Sequence, residues 1–371
     1  MIFLKFDRRI FHYFDWVLLA FVLLVCAMGI LNIYSTGFSA VEGQTPFYLK
    51  QLQWIVLGLI SMILVFFVDY RVIIHYAYIV YGFVMVLLVL VFFVGSSSHG
   101  AQRWIDGGFF ALQPSELMKV VIIIALARYF DNHQSKEPYK LRELFIPLLM
   151  VVAPFVLILK QPDLGTALML MLVFISIVFF MGLDKKSFIF AFVSGLVFIP
   201  VGWFCLKDYQ RMRLITFLNP ERDPLGSGYH IIQSKIAIGS GEIFGKGFLS
   251  GSQTQLKFLP EQQTDFVFSV FAEEWGFVGS MILIVLFAVI MFWGLKIALQ
   301  ARDLLGTIIA FGITVLIAWE VFINIGMVLG ILPVVGIPLP FFSYGGSAML
   351  SLMAAMGLLI NISARRFVLQ K

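Results

Sequence analysis

The sequence has little charge for its length. Only 13% of its 371 residues are Asp, Glu, Lys or Arg, whereas 61% are hydrophobic and 40 are Phe. A soluble chain of this size needs roughly a quarter of its residues charged to cover its surface. The shortage of charge therefore excludes a string of soluble domains and indicates a protein that lies in a lipid bilayer.

Motifs for disulfides, metals and nucleotides are also missing. The only two cysteines, Cys26 and Cys205, lie in or beside apolar runs and suggest neither a disulfide framework nor a thiolate metal site. The five histidines are scattered, without the paired spacing of a zinc site. The glycine-rich stretch 239–247 departs from a phosphate-binding loop in its spacing and in the residue after Lys246. It is more typical of a chain that turns tightly at the membrane surface.

Long apolar runs dominate the sequence. A helix that crosses a membrane needs about 20 mostly apolar residues. The predicted fold class is therefore an all-α polytopic membrane protein with about ten transmembrane helices in a single domain, residues 1–371. A large outer loop, 207–265, separates the seventh and eighth helices. The predicted spans are 16–34, 52–69, 72–94, 116–130, 144–159, 164–183, 188–206, 266–296, 306–332 and 346–363.

The basic residues predict how these helices are oriented. If both termini are cytoplasmic, 15 of the 26 Lys and Arg residues fall in cytoplasmic segments and three fall in the short outer gaps. Short cytoplasmic loops of membrane proteins carry such an excess of positive charge. We therefore expect a multi-pass protein of the plasma (inner) membrane with both termini inside. The unusual segments, 95–114, 207–265 and 333–345, then lie on the outer face.

One ionisable pair lies inside an apolar span. Glu116 and Lys119 are three residues apart, so they share a face of the fourth predicted helix. A charge in hydrocarbon costs at least about 2.5 to 3.5 kcal/mol and persists when it is paired or functional. Two interpretations stay open, an ion pair that neutralises itself within the bundle and a functional pair.

Two aspartates stand at the outer ends of predicted helices. Asp163 lies in a short turn between two spans, and Asp265 lies where the long outer loop re-enters the membrane. Either one is a candidate helix N-cap. The alternative for Asp265 is a partly desolvated carboxylate that faces an outward-opening cavity, which is the setting that a general base requires.

Several motifs follow one another in order along most of the chain. They are Gly100-Ala-Gln-Arg-Trp-Ile105, Gln113-Pro-Ser-Glu116, Gln161-Pro-Asp-Leu-Gly-Thr166, Asp208-Tyr-Gln-Arg-Met-Arg213, Asn219-Pro-Glu-Arg-Asp-Pro-Leu-Gly226, Gly228-Tyr-His-Ile-Ile-Gln-Ser-Lys-Ile-Ala-Ile-Gly-Ser-Gly241, Phe258-Leu-Pro-Glu-Gln-Gln-Thr-Asp-Phe266, Asn324-Ile-Gly-Met327, Leu332-Pro-Val-Val-Gly-Ile-Pro-Leu-Pro340 and Ser343-Tyr-Gly-Gly-Ser347. On these motifs the chain resembles the SEDS family (shape, elongation, division and sporulation), and within it the members of rod-shaped cell elongation. The choice of elongation over division rests on Ser252-Gln-Thr-Gln-Leu256 and on compact cytoplasmic tails.

The resemblance implies an enzyme, an inverting peptidoglycan glycosyltransferase. Such an enzyme polymerises lipid II, a lipid-linked disaccharide-pentapeptide, into β-1,4-linked glycan strands at the outer face of the plasma membrane. The sugar 4-hydroxyl of an acceptor attacks the anomeric carbon of a chain held on undecaprenyl pyrophosphate, which is released. This displacement needs a base at the hydroxyl and positive charge near the leaving diphosphate.

The resemblance also assigns residues and partners. Asp265 matches the essential loop aspartate of the family and is the expected base, while Glu116, Lys119 and Asp163 match positions that line its central cavity. Separate from these, the outer-face cations are available to meet a diphosphate: Lys50, Arg103, Arg211 and Arg213. The expected partners are a class B penicillin-binding protein, which is a transpeptidase, and the rest of the elongation machinery. A divalent cation, Mg²⁺ or Mn²⁺, is expected to help the diphosphate leave.

Two other functions compete with this one. A lipid II flippase or other transporter predicts charged groups along a route to the cytoplasmic side, and the mid-span Glu320 fits such a route. A non-catalytic scaffold of the elongation machinery predicts that neutral replacements of all these residues are tolerated. The sequence leaves the roles of Glu273, Glu274 and Glu320 open.

Overall fold

The protein folds into a bundle of long helices. The computed structural model describes residues 13–37, 46–98, 101–108, 111–135, 137–205, 208–223, 226–256, 258–259 and 261–368. Its helices are α1 Trp16–Gly37, α2 Phe47–Phe67, α3 Tyr70–His75, α4 Ala77–Val94, α5 Pro114–Asn132, α6 Phe145–Lys160, α7 Leu164–Met181, α8 Lys185–Cys205, α9 Asp208–Leu218, α10 Ser227–Ser240, α11 Ser252–Gln255, α12 Val267–Gln300, α13 Leu304–Val328 and α14 Gly346–Val368.

Ten helices of 16 or more residues within these ranges match the ten predicted spans. Seven of them, α1, α2, α4, α7, α12, α13 and α14, are long and apolar enough to cross a membrane by length and composition, and α6 is a shorter apolar helix. Within a helix the backbone amides and carbonyls bond to one another, which is necessary in hydrocarbon because no water is present to bond them. The prediction of a polytopic helical membrane protein is confirmed.

Two helices form the centre of the bundle. Nearly every side chain of α5 from Pro114 to Phe130 is buried, and α13 is buried along most of its length. They pack against each other, and α7, α12 and α14 surround them. By contrast α4 exposes large side chains such as Phe83 and Phe93, as expected of a helix that faces lipid.

The segments that we expect on the outer face contain short strands and helices. The glycine-rich segment 95–114 contains three short antiparallel strands, β1 Ser96–Ser98, β2 Ala101–Asp106 and β3 Ala111–Leu112, in the order β1-β2-β3. The large loop contains α9, a 3₁₀ turn at Pro220–Arg222, α10 and α11. The helix α10 packs on α12 and on the C-terminal end of α13, where Ser234 Oγ donates to the Val328 carbonyl at 2.6 Å.

The long helix α12 is broken near its start. Gly276 has φ 65° and ψ −162°, which is not a helical conformation and is one that glycine tolerates. The chain before the break, 267–275, contacts the large loop, and 277–300 is about 36 Å long, enough to cross the membrane. The sequence predicts one continuous span here and does not predict the break.

Candidate active site

The aspartate that the sequence singles out, Asp265, is not a helix cap. The helix α12 begins at Val267 with Phe266 at its N-cap, and no side chain caps it. The Asp265 side chain is partly buried and is left available for other contacts. Its backbone is held from α13, because Asn324 Nδ2 donates to the Asp265 carbonyl at 3.1 Å and to the Ile337 carbonyl at 2.8 Å.

The segment 333–345, between α13 and α14, forms one wall of the site. Ser343 Oγ donates to the Thr264 carbonyl at 2.6 Å, and the Tyr344 amide donates to the Gln263 carbonyl at 2.8 Å. Gly336 has φ 75°, and a Cβ atom there would lie 3.3 Å from Asp265 Oδ2. The Asp265 carboxylate therefore lies directly against the glycine backbone.

Charged groups from four parts of the chain act on Asp265. The pKa of its carboxyl is raised to about 6, mainly by burial and next by the charge of Glu261. The charges of Arg213, on α9, and Arg103, on β2, oppose the rise, and Asp163 adds to it. Three of the predicted site residues, Arg213, Arg103 and Asp163, thus lie near enough to the predicted base to act on it by charge, although they are far apart in the sequence.

Asp163 is the N-cap of α7, which confirms the structural interpretation of this residue. Its Oδ1 accepts from the Thr166 amide at 3.3 Å and its Oδ2 accepts from Thr166 Oγ1 at 2.9 Å. Gln113 Nε2, just before α5, also donates to Asp163 Oδ2 at 3.1 Å. A Cβ on the neighbouring Gly165 would meet the Val335 carbonyl at 2.7 Å, so the wall segment 333–345 touches this turn too.

Arg103 binds the backbone of the turn that carries Asp163. Its Nε donates to the Gln161 carbonyl at 3.1 Å, and its Nη2 donates to the Pro162 carbonyl. The guanidinium therefore ties the outer β-strands to the end of α6. In this arrangement Arg103 positions the turn and also contributes positive charge near Asp265.

Glu116 and Lys119 form the predicted ion pair, and a third residue joins it. Lys119 Nζ lies 2.8 Å from Glu116 Oε2 and also contacts Glu320 Oε1 of α13. The three side chains are at most 5% exposed. The Lys119 ammonium is shared by two carboxylates within the bundle, one turn of α5 below the contacts of Asp163.

Lys50 and Arg211 have neighbours of their own. Lys50, on α2, lies over the Phe47 ring with its Nζ 5.6 Å from the ring centroid. Arg211 Nη2 donates to the Phe204 carbonyl at the end of α8, at 2.9 Å. Their expected role toward a diphosphate stays a prediction.

Four residues of the site are missing from the sequence prediction: Glu261, Asn324, Gly336 and Ser343. All four lie inside motifs that the sequence analysis quotes, but none received a role. Glu261 is four residues before Asp265, so its proximity could have been inferred from the sequence. The other three depend on contacts between distant parts of the chain.

The residues described do not offer a protein-built metal site. Among them, no three His, Cys, Asp or Glu side chains gather in a way that could hold a metal ion. The carboxylates around Asp265 do not fit a resident Mg²⁺ or Mn²⁺ ion with three protein ligands. The expected divalent cation stays a prediction.

The comparisons with known proteins identify the family. The model of the FtsW, RodA and SpoVE family, described as "Cell cycle protein", matches residues 15–367. The chain belongs to this family. Among its relatives is the peptidoglycan glycosyltransferase MrdB of Escherichia coli strain K12, which is 44% identical over 87% of each chain.

Solved structures of the family share the fold. One is a chain of a peptidoglycan synthase complex in which polymerization and crosslinking are coordinated, with a TM-score of 0.81 and 31% identity over 96% of this chain and 99% of that one. Another is the rod shape determining protein RodA of Thermus thermophilus, with a TM-score of 0.70 and 28% identity over 95% and 98%. The resemblance predicted from the motifs is confirmed.

Proposed function

We propose that this protein is a peptidoglycan glycosyltransferase that polymerises lipid II into β-1,4-linked glycan strands during cell elongation. The observation that carries the proposal is the Asp265 carboxylate, held against the Gly336 backbone among charged residues at the outer end of a membrane bundle. The names of its relatives support the reaction class.

Asp265 is the general base of the proposed reaction. With a pKa of about 6, its carboxyl is ionised at neutral pH and is a stronger base than an ordinary aspartate. It accepts the proton of the acceptor sugar 4-hydroxyl as the oxygen attacks the anomeric carbon of the donor. The base and the leaving diphosphate lie on opposite sides of that carbon, so an α-linked donor yields a β-linked product.

The leaving diphosphate needs positive charge. Arg213 and Arg103 supply this positive charge, because they are the cations whose charges reach the Asp265 site, where the reacting sugar lies. The Lys119 ammonium is already paired with the Glu116 and Glu320 carboxylates, so it does not pair with the diphosphate directly. The polyprenyl tails of donor and acceptor remain in the bilayer, so their sugars reach the outer ends of α5, α7 and α13.

The polymerase works with a transpeptidase, a class B penicillin-binding protein. The support is the likeness to a chain of a peptidoglycan synthase complex that couples polymerization to crosslinking. Both termini lie in the cytoplasm, an orientation supported by the distribution of Lys and Arg. The outer end of the bundle then faces the cell wall, where the glycan is needed.

One experiment separates the polymerase from a transporter and from a scaffold. The purified protein, with a partner whose transpeptidase site is inactivated, is reconstituted in liposomes that carry labelled lipid II in the outer leaflet only. The protein is inserted with its outer face outward. Glycan polymer under these conditions supports the polymerase. Movement of lipid II to the inner leaflet without polymer supports a flippase, and neither result with an intact complex supports a scaffold.

A further inference from the structure

A buried glutamate on α12 holds the outer loop. Glu273 is 0% exposed, and its carboxylate accepts hydrogen bonds from loop residues 246–254 and, at 3.5 Å, from Ser240 Oγ of α10. Lys246 Nζ lies 2.8 Å from Oε1, the Gln253 amide 3.0 Å from Oε1, and Thr254 Oγ1 3.1 Å from Oε2. Ser252 Oγ and the Thr254 amide donate as well, at 3.2 and 3.3 Å. We call Glu273 with these four loop residues the Glu273 clasp.

The backbone reinforces the clasp at the break of α12. The amides of Lys246 and Gly247 donate to the Glu273 and Glu274 carbonyls at 3.0 Å, which the break leaves without helical partners. In return, the Phe277 amide donates to the Glu242 carbonyl at 2.9 Å. The loop therefore replaces hydrogen bonds that the helix gives up, as a broken helix near hydrocarbon requires.

The clasp closes a loop that contains the predicted base. Thr254 and Glu273 are joined by the clasp, and the chain between them carries Glu261 and Asp265. On the far side this chain is held by Asn324 and by Ser343. The Asp265 segment is thus fixed on one side by Asn324 and Ser343, and the clasp fixes the chain that leads to it from the large loop.

We infer that Glu273 is a positioning residue of the glycosyltransferase, which holds the loop at Ser252, Gln253 and Thr254 so that Asp265 meets the acceptor hydroxyl. The inference rests on the proposed function. Glu273 acts through the loop and touches no substrate. A displacement of about 1 Å at a reacting group costs about 100-fold in rate, so a loosened loop lowers kcat strongly.

The test compares Glu273→Ala with Glu274→Gln in the full chain, bound to its partner in lipid nanodiscs. Glu274, the adjacent buried carboxylate, is the control, because it accepts hydrogen bonds from Ser35 of α1 and from the Leu249 backbone, and Gln keeps an acceptor oxygen while it removes the charge. Hydrogen exchange reports the amides of 246–256, and polymerisation of labelled lipid II gives kcat and KM. Lys246→Met tests the clasp from its more exposed side if Glu273→Ala does not accumulate in the membrane.

We expect Glu273→Ala to speed exchange in 246–256 and to lower kcat about 10- to 100-fold, with KM within about threefold of wild type. Lys246→Met shows the same pattern more weakly, and Glu274→Gln keeps wild-type kcat. The inference is overturned if exchange speeds up in Glu273→Ala while its kcat stays normal. It is also overturned if Glu273→Ala and Glu274→Gln lower kcat and raise KM alike, because that result indicates a general loss of packing. If wild type itself makes no polymer, the proposed function fails, whatever the clasp does.

Discussion

Replacing Glu261 by Gln changes the pH at which Asp265 works. The pKa of Asp265 is raised from 3.8 to about 6, which corresponds to about 3 kcal/mol against its ionised form. Glu261 is the second cause of this rise, after burial. As a general scale, two like charges about 6 Å apart at an effective dielectric constant of about 40 repel by about 1.4 kcal/mol, or about one pKa unit. Because Glu261 is exposed and screened, about half a unit to one unit is expected.

The sign follows from the role of the base. Asp265 must be ionised to accept a proton, so kcat/KM rises with pH through a midpoint near 6. In Glu261→Gln the midpoint falls to about 5 to 5.5, whereas in Arg213→Gln it rises, because the charge of Arg213 lowers the pKa. The matched control is Glu221→Gln, an exposed glutamate of the same loop, which leaves the midpoint in place.

The assay is the initial rate of polymerisation of labelled lipid II at low substrate, from pH 4.5 to 8, with the stability of the complex checked at each pH. A midpoint that stays within about 0.2 units of wild type in Glu261→Gln, or that moves upward, refutes the reasoning. An equal shift in Glu221→Gln refutes it as well, since the effect is then not local to the site.

Three further outcomes are expected. Asp265→Asn abolishes most activity but raises the thermal unfolding midpoint of the detergent-solubilised protein at pH 7.5, because ionised Asp265 destabilises the fold above about pH 6. Below about pH 4 the carboxyl is protonated in both the folded and the unfolded state, so the variant and wild type have equal midpoints. Lys119→Met lowers the free energy of unfolding by about 3 to 5 kcal/mol, because Glu116 and Glu320 lose their shared cation. A thermal unfolding midpoint equal to that of wild type contradicts this prediction. Gly336→Ala lowers kcat about threefold to tenfold, because the new Cβ meets Asp265 Oδ2 at 3.3 Å in a backbone conformation with φ 75°; normal kcat in the folded variant contradicts it.

The helices of the bundle could be predicted from the sequence because each span is a long apolar run. The break at Gly276 could not, since an isolated glycine is also tolerated inside a helix. The signal for the break lies in the loop, whose glycines allow close backbone contact. A Cβ on Gly245 would lie 2.1 Å from the Glu274 carbonyl, and one on Gly241 would lie 2.0 Å from the Ala272 carbonyl. The glycine-rich stretch 239–247 thus allows close backbone contact with α12.

The site could be predicted only in part. The spacing of Glu116 and Lys119 predicts their ion pair, but Glu320 is 201 residues away from Lys119 and joins it only through the packing of α5 against α13. The cap interpretation of Asp265 also depends on the fold. The start of α12 at Val267 excludes it, and a sequence pattern locates that start only to within a few residues.

The most direct test of the central claim compares wild type with Asp265→Asn in glycan synthesis from labelled lipid II. Each is purified with the partner, whose transpeptidase site is inactivated, and complex formation is verified. The account predicts polymer from wild type and a rate lower by about 10² to 10⁴-fold in the variant, as expected for loss of a general base. Polymer from Asp265→Asn at the wild-type rate would contradict the assignment of Asp265 as the base.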